Sequence, residues 1–456
     1  MADFQKRLKR LHLTPDQALV FSYLAAIVLG AFLLSLPVAS RQAPLTWLDA
    51  LFTATSAQCV TGLIVVDTGQ QFTLFGQLVI LLLIQIGGLG ITTFSVYLFF
   101  CLRMGIGTRG RWIIHETLLH TPVPSLKALI LEIIIITLVI EALGTFFLAF
   151  VFIPEMGFVQ GTYTALFHAV SAFCNAGFSL FPDNLVAYRG DGLLNVTIMI
   201  LIVLGGIGFL VIRELLDMLR VRKRKRLSLH SRLVLITTCI LVVGGALLIG
   251  LLENSSALAG MSYKEKILVS FFQSITPRTA GFNTIDLNLF EAPTLVFMIF
   301  LMFIGASPGS AGGGVKTTSL ALVVVILKSR LKGSSHTNIF HRTIPSELVL
   351  KTLTLVLSAI LFLAATTFIL LCVQNINIPV GRSPNSFLID TFEAVSAFST
   401  VGLSLGITPK LSIAGKFLVI ILMFVGRVGL LSAAFAILKR AEKIPTRYSE
   451  ENIMIG

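Results

Sequence analysis

Charge is scarce in this 456-residue chain: Asp, Glu, Lys and Arg together make up 12% of it, against roughly a quarter in an ordinary soluble domain. That shortage excludes most soluble enzymes. Hydrophobic residues reach 55% and the mean hydropathy is +0.92, too much for a core wrapped in a polar shell, so the outer surface must also be apolar and the solvent is lipid. Cysteine is scarce too. Cys59, Cys101, Cys174, Cys239 and Cys372 form no CxxC pair and no His-rich cluster, and an odd number cannot all pair within one chain. Neither a disulfide framework nor a transition-metal site is indicated. No clustered nucleophile or acid/base pair stands out, so no catalytic residue is assigned; Glu132 and Glu141 are nine residues apart, half a turn off on a helix. A nucleotide-binding P-loop is missing as well, because Val315 stands before Lys316 where that pattern requires glycine.

What is present is long apolar runs. A membrane span needs about 20 predominantly apolar residues, and eight segments qualify, near 18–38, 72–102, 129–153, 193–219, 233–252, 293–327, 348–373 and 413–438. The first follows Lys6, Arg7, Lys9 and Arg10, but it is longer than the core of a cleaved signal and Ala39-Ser40 is a weak cleavage site, so it reads as a retained first span. Between each odd-numbered span and the next lies a shorter segment with a glycine signature: LFTATSAQCVTGL (51–63), LFHAVSAFCNAGF (166–178), SFFQSITPRTAGF (270–282) and TFEAVSAFSTVGL (391–403). Aligned without gaps on Gly62, Gly177, Gly281 and Gly402, each has a phenylalanine ten residues earlier, at Phe52, Phe167, Phe271 and Phe392, and the glycines are 115, 104 and 121 residues apart. The chain is internally fourfold. The expected fold is an all-α polytopic membrane protein of four span, half-helix, span repeats, with eight transmembrane helices around a pseudo-fourfold central pore. The repeats cover residues 1–125, 126–228, 229–343 and 344–456.

The net charge of +13 does not require nucleic acid. Of the 35 basic residues, 25 lie at the termini and after even-numbered spans, among them the run Arg220 to Arg226. The positive-inside bias then places both termini in the cytoplasm and the glycine signatures outside, in a multi-pass protein of the plasma membrane, the bacterial inner membrane. Some basic segments lie near anionic membrane lipid.

Half-helices too short to span enter from outside, starting near Thr46, Gly161, Lys264 and Ser386, and point their partially negative C-terminal ends at the membrane centre, which favours a cation there. The loop that follows can turn its carbonyl oxygens inward and replace a hydration shell. The candidate cation-binding residues are therefore Val60, Thr61 and Gly62; Asn175, Ala176 and Gly177; Thr279, Ala280 and Gly281; and Thr400, Val401 and Gly402. Val60-Thr61-Gly62 and Thr400-Val401-Gly402 nearly match the Thr-Val-Gly filter of potassium channels. Arg278 is expected to buttress its loop rather than touch a cation. His168 and Glu393 share one aligned position with Thr53 and Phe272, which points to packing or support.

The sixth apolar segment, 292–330, has 39 residues and as one helix would run about 58 Å across a hydrocarbon core of about 30 Å. It must break or extend into the cytoplasm. Pro308 and five glycines between Gly305 and Lys316 disfavour a continuous helix. The reading is an intramembrane gating loop carrying Gly305, Gly309, Gly312, Gly313, Gly314 and Lys316. Lys316 and Arg427 are costly if they face lipid, on the order of 2.5 to 3.5 kcal/mol each, so both should face inward.

These glycine signatures, together with Thr276 to Phe282, Gly305 to Lys316, Gly426-Arg-Val-Gly429 and the tail Glu450 to Gly456, resemble the Ktr/Trk/HKT superfamily of potassium transport proteins, most closely its KtrB-type membrane subunits, over essentially the whole chain. The lack of an extra helical pair before the first repeat favours that branch over the longer Trk-type proteins, and Gly62 in place of serine fits the potassium-selective members. The resemblance implies potassium ion as substrate, a gate at the third-repeat loop held by Arg427, a homodimer with one pore per chain, a cytosolic KtrA-like nucleotide-binding regulatory ring, and sodium-stimulated uptake. No covalently bound cofactor is expected. A sodium-coupled potassium symporter or a sodium-permeable HKT-like transporter is the alternative within transport. A membrane enzyme using Lys316 or Arg427, or a scaffold, would leave the four repeats unexplained.

Overall fold

The computed structural model describes residues 15–89, 126–220, 227–334, 336–375 and 386–430. The N-terminal basic cluster, Cys101, the run 222–226 and the tail 450–456 lie outside the described residues.

The chain is helical. In order come α1 (Pro15–Ser35), α2 (Trp47–Gln58), α3 (Leu74–Gly88), α4 (Leu126–Met156), α5 (Phe158–Phe173), α6 (Gly192–Ile207), α7 (Phe209–Arg220), α8 (Leu229–Leu252), α9 (Tyr263–Ile275), α10 (Ala292–Phe303) and α11 (Thr317–Leu331). A small hairpin follows, β1 (Thr337–Ile339) against β2 (Arg342–Ile344), then α12 (Ser346–Asn375), α13 (Ser386–Phe398) and α14 (Ile413–Val428). Several helices start where a side-chain oxygen takes an otherwise orphaned N–H: Thr46 for α2, Asp191 for α6, Ser228 for α8 and Ser412 for α14. Ser262 and Glu265 close a capping box on α9.

Stretches of α4, α8 and α12 are each long and apolar enough to cross a membrane, and α6 with α7 is so only when the bent pair is taken as one broken span. On α4, Ile133, Thr137, Glu141, Gly144, Leu148 and Phe152 are buried, a single stripe at helical spacing. Leu131, Ile135, Leu138, Val139, Phe146 and Phe150 stand exposed around it. An apolar helix with one buried stripe is suited to lipid on its remaining faces.

The described parts of the second helices α3, α6, α10 and α14 have 15, 16, 12 and 16 residues; the ends expected for the spans 72–102 and 413–438 lie outside the described residues. The expected single span at 193–219 is corrected. It bends by 103° at Gly208, whose φ is +94°, and α7 turns away from the direction of α6. The break expected in 292–330 is present, with α10 ending at Phe303 and α11 starting at Thr317.

The packing is cyclic. α1 lies on α2, α4 on α5, α8 on α9 and α12 on α13. Each second helix also packs on the half-helix of the following repeat: α3 on α5, α6 on α9, α10 on α13, and α14 back on α2. Ion pairs support two of the seams, Asp49 with Lys416 at 2.6 Å and Arg189 with Glu265 at 3.5 Å.

Close approach is possible because small residues stand at the crossings. Gly87, Gly205 and Gly426 lie directly on the carbonyl oxygens of Gln58, Phe173 and Phe398, where any Cβ would collide with backbone. All three carbonyls are four residues before a signature glycine. The buried core runs through the half-helices, with Phe52, Phe167, Phe272 and Phe392 fully enclosed.

The gap-free register is also corrected. Phe271 is only partly buried while Phe272 takes the enclosed position. The N–H groups of Thr61, Ala176 and Val401 reach back five residues to Ser56, Ser171 and Ser396, whereas Ala280 reaches back four, to Thr276. The third repeat is one residue shorter at Thr276-Pro277-Arg278. Its structural partner for Thr53, His168 and Glu393 is Gln273, not Phe272.

Candidate functional site

The four glycine loops meet in a ring. A Cβ added to Gly62 would stand 2.5 Å from the carbonyl oxygen of Ala176, and one on Gly177 would stand 2.8 Å from that of Ala280. One on Gly281 would collide with the carbonyl of Val401, and one on Gly402 with that of Thr61. Each signature glycine thus faces the carbonyl that precedes the next signature glycine, and the fourth closes on the first. Only glycine fits, for lack of space and because φ is +92°, +70°, +77° and +93° at the four positions.

The residues two positions earlier share a second strain. Val60, Asn175, Thr279 and Thr400 have φ of +56°, +59°, +69° and +52°. Three of them are β-branched, for which this region is a genuine outlier, and such strain costs on the order of 1 to 3 kcal/mol per residue. It persists because each loop is tied to its own half-helix. Ser56 and Ser396 hydroxyls accept the N–H groups of Gly62 and Gly402 at 3.1 and 3.2 Å. Ser171 and Thr276 hydroxyls donate to the carbonyls of Phe178 and Phe282 at 2.8 and 2.5 Å. These four hydroxyls went unnoticed in the sequence, although Ser56, Ser171 and Ser396 recur six residues before their glycines.

All twelve candidate cation residues are brought together, and the flanking side chains take distinct roles. Arg278 is buried and donates to Thr238 Oγ1 on α8 at 3.2 Å, which links the third loop to the first helix of its repeat. Asn175 lies 3.3 Å from Thr279 Oγ1, joining the second loop to the third. The buried carboxylate of Glu141 accepts a bond from Gln85 at 3.3 Å and lies 3.7 Å from Cys174 Sγ, far from Glu132, which pairs with Arg213.

The irregular stretch from Ile304 to Lys316 packs against this ring. Gly313 N–H donates to Thr400 Oγ1 at 3.1 Å, and a Cβ on Gly312 or Gly313 would collide with the hydroxyls of Thr279 and Thr400. Gly305 leaves room for the carbonyl of Gly313, and Gly309 and Gly314 adopt φ of +70° and +68°. The stretch is folded on itself by Gly305 N–H to Val315 O at 2.8 Å and by Lys316 Nζ to Gly312 O at 2.8 Å. It is also held from outside. Ser307 and Ala311 N–H groups donate to Gly206 and Gly205 at the end of α6, at 2.9 and 3.0 Å, and Phe209 N–H donates to Gly309 at 3.0 Å. Arg427, buried on α14, donates to the carbonyls of Ala311 and Gly87, so one guanidinium joins the fourth repeat to the third and the first. The α6 contacts were not foreseen; the Gly205-Gly206 pair was their only visible signal.

The chain matches the family model for TrkH, described as cation transport protein, over residues 13–450. It is 40% identical to the Ktr system potassium uptake protein B of Bacillus subtilis, covering 99% of both chains. It is 37% identical to the potassium/sodium uptake protein NtpJ of Enterococcus hirae, covering 100% of both. Among solved structures, the potassium transporter TrkH of Vibrio parahaemolyticus superposes with a TM-score of 0.69 at 18% identity, over 94% of this chain and 86% of that one, a likeness of fold.

Proposed function

The chain belongs to the TrkH family of cation transport proteins, not to an enzyme family, and from that premise we propose that it carries potassium inward across the plasma membrane through the ring of glycine loops. The observation that carries this reading is the cyclic contact of Gly62, Gly177, Gly281 and Gly402 with the carbonyls of Ala176, Ala280, Val401 and Thr61. Four carbonyls around one axis can replace the water lost by a cation. The half-helices α2, α5, α9 and α13 all end next to the ring, and their partially negative C-terminal ends favour positive charge there. Selection in this arrangement is a property of backbone, which is why no ring of acidic side chains is needed.

In this account the pore runs on the axis of four repeats, divided near residues 125, 228 and 343, with eight membrane crossings and both termini in the cytoplasm. The Ile304–Lys316 stretch is its gate. Thr279 and Thr400 begin their loops at the end nearest the half-helices, and Gly312 and Gly313 pack under them, so an ion leaving the ring inward meets this stretch. Arg427 holds it closed by its bond to Ala311, and Lys316 stiffens it by bonding within it. A homodimer and a cytosolic nucleotide-binding ring that drives the gate complete the proposal, as the sequence resemblance implies.

The test is potassium uptake in a host that lacks its own uptake systems, supplied with a suitable regulatory subunit. The chain restores growth on low potassium, and Gly62→Ser weakens the discrimination against sodium; failure of the unaltered chain to restore growth contradicts the reading. The potassium/sodium relative favours one second reading, sodium-coupled or sodium-permeable transport. Reversal potentials that move with sodium as well as potassium would favour it over a potassium-selective pore.

A further inference from the structure

Two of the four loops carry a further side-chain tie to their own half-helix, two residues after the glycine. Ser404, two residues beyond Gly402, donates from its hydroxyl to Glu393 Oε2 at 2.8 Å, and Thr408 donates to the other carboxylate oxygen. Ser404 Oγ also accepts the N–H of Gly406 at 3.1 Å. Glu393 is fully buried on α13. The second repeat has the same construction with different chemistry. Ser179, two residues beyond Gly177, lies 3.0 Å from His168 Nε2 and accepts the N–H of Phe181 at 3.0 Å. His168 Nδ1 faces the Thr164 carbonyl at 2.8 Å, so Nδ1 carries the proton and Nε2 accepts the Ser179 hydroxyl.

The other two repeats lack this tie. Thr53 donates into its own helix, to Asp49 O at 2.8 Å, and the residue two beyond Gly62 is the apolar Ile64. In the third repeat the equivalent Gln273 has a buried amide with no hydrogen-bond partner among the described residues, and Asn283 is held by the second repeat instead, donating its N–H to Asn184 Oδ1 at 3.4 Å and accepting the N–H of Leu185 at 3.1 Å. Because the ring runs from the first loop to the second, third and fourth, the tied loops face each other across it. At this level the fourfold arrangement reduces to a twofold one.

We infer that Glu393 is a positioning residue for ion selection: with Ser404 and Thr408 it fixes the outer half of the fourth loop, as His168 and Ser179 fix the opposite one. The inference rests on the proposed role of the ring. A loop without this side-chain tie two residues beyond its glycine is freer to adjust there, and a ring that adjusts discriminates ions of different size poorly. The tie must be made by a group at this register that accepts hydrogen bonds. Glutamine keeps an acceptor oxygen for Ser404; alanine keeps none.

The experiment compares Glu393→Ala, Glu393→Gln, Ser404→Ala, the Glu393→Ala/Ser404→Ala double variant and Gly402→Ser in potassium and sodium flux assays, with membrane abundance measured in parallel. Glu393→Ala and Ser404→Ala each lower the potassium to sodium flux ratio about tenfold, the loss expected for a charge-assisted bond. The double variant is no worse than either single one, because both remove the same tie. Glu393→Gln retains most of the ratio. A normal ratio in Ser404→Ala or in an abundant Glu393→Ala protein, or effects that multiply in the double variant, overturns the inference. If Gly402→Ser lowers the ratio while the Glu393 and Ser404 variants do not, the positioning role alone fails; if Gly402→Ser also leaves it unchanged, the ring reading fails with it.

Discussion

The ring of glycine loops and the Ile304–Lys316 stretch are both irregular backbone enclosed by helices, and they are held in opposite ways. Each ring loop is fixed chiefly by the half-helix that leads into it, through a serine or threonine hydroxyl and a backbone bond of four or five residues. The Ile304–Lys316 stretch occurs once and takes many of its bonds from elsewhere, from the end of α6, from Thr400 and from Arg427. Local ties repeated four times make an element that keeps its shape when its neighbours move. Borrowed ties make one that follows them. This difference fits selection in the ring and gating in the stretch beneath it.

The largest effect is expected where the ring's own scaffold is tightest. Gly205→Val or Gly426→Val places side-chain atoms on the carbonyl of Phe173 or Phe398, and overpacking of this kind costs about 1 to 3 kcal/mol or more; protein abundance in the membrane and detergent thermal stability should both fall sharply. Deleting Ser310 to Gly314 comes next. It removes the stretch that packs on Thr279 and Thr400, so potassium flux without a regulatory subunit should rise more steeply than in any single substitution of the gate, while the potassium to sodium ratio stays near normal. Arg427→Gln should act in the same direction through Ala311 and Gly87. A bond from a charged donor contributes at least about 1.5 kcal/mol, and about 1.4 kcal/mol is tenfold, so basal flux should rise by about tenfold, again at unchanged ratio. If either gate variant altered selectivity instead of flux, the separation of the two regions would be wrong. The smallest effect belongs to the seam between the fourth and first repeats: Lys416→Ala removes the partner of Asp49 and should lower stability by about 1 kcal/mol, the upper end for a surface pair, because both side chains are largely covered, readable as a small shift in melting temperature.

Much of this arrangement was legible in the sequence because backbone function leaves compositional marks. Gly62, Gly177, Gly281 and Gly402 could be found by register, since a ring of positive φ and close carbonyls admits nothing larger. The break in 292–330 followed from length and from Pro308. Arg427 could be placed inside because an unpaired guanidinium in lipid is costly. What stayed hidden depends on contacts between distant segments. The bend at Gly208 looks in sequence like any glycine in an apolar run, and only the bonds on either side of it, Ala311 N–H to Gly205 on α6 and Phe209 N–H of α7 to Gly309, give it meaning. The one-residue shortening of the third repeat was masked by Phe271 and Phe272 standing side by side, so that a gap-free alignment found a phenylalanine either way. Ser404 and Ser179 carry no signal of their own until Glu393 and His168 are seen opposite them.

The central claim, that one ion path runs through all four glycine loops, is tested most directly by the potassium to sodium flux ratio of Gly62→Ser, Gly177→Ser, Gly281→Ser and Gly402→Ser, each measured at matched abundance. The account predicts a lower ratio in all four, because each side chain meets the carbonyl that the next loop presents. An unchanged ratio in all four would contradict it.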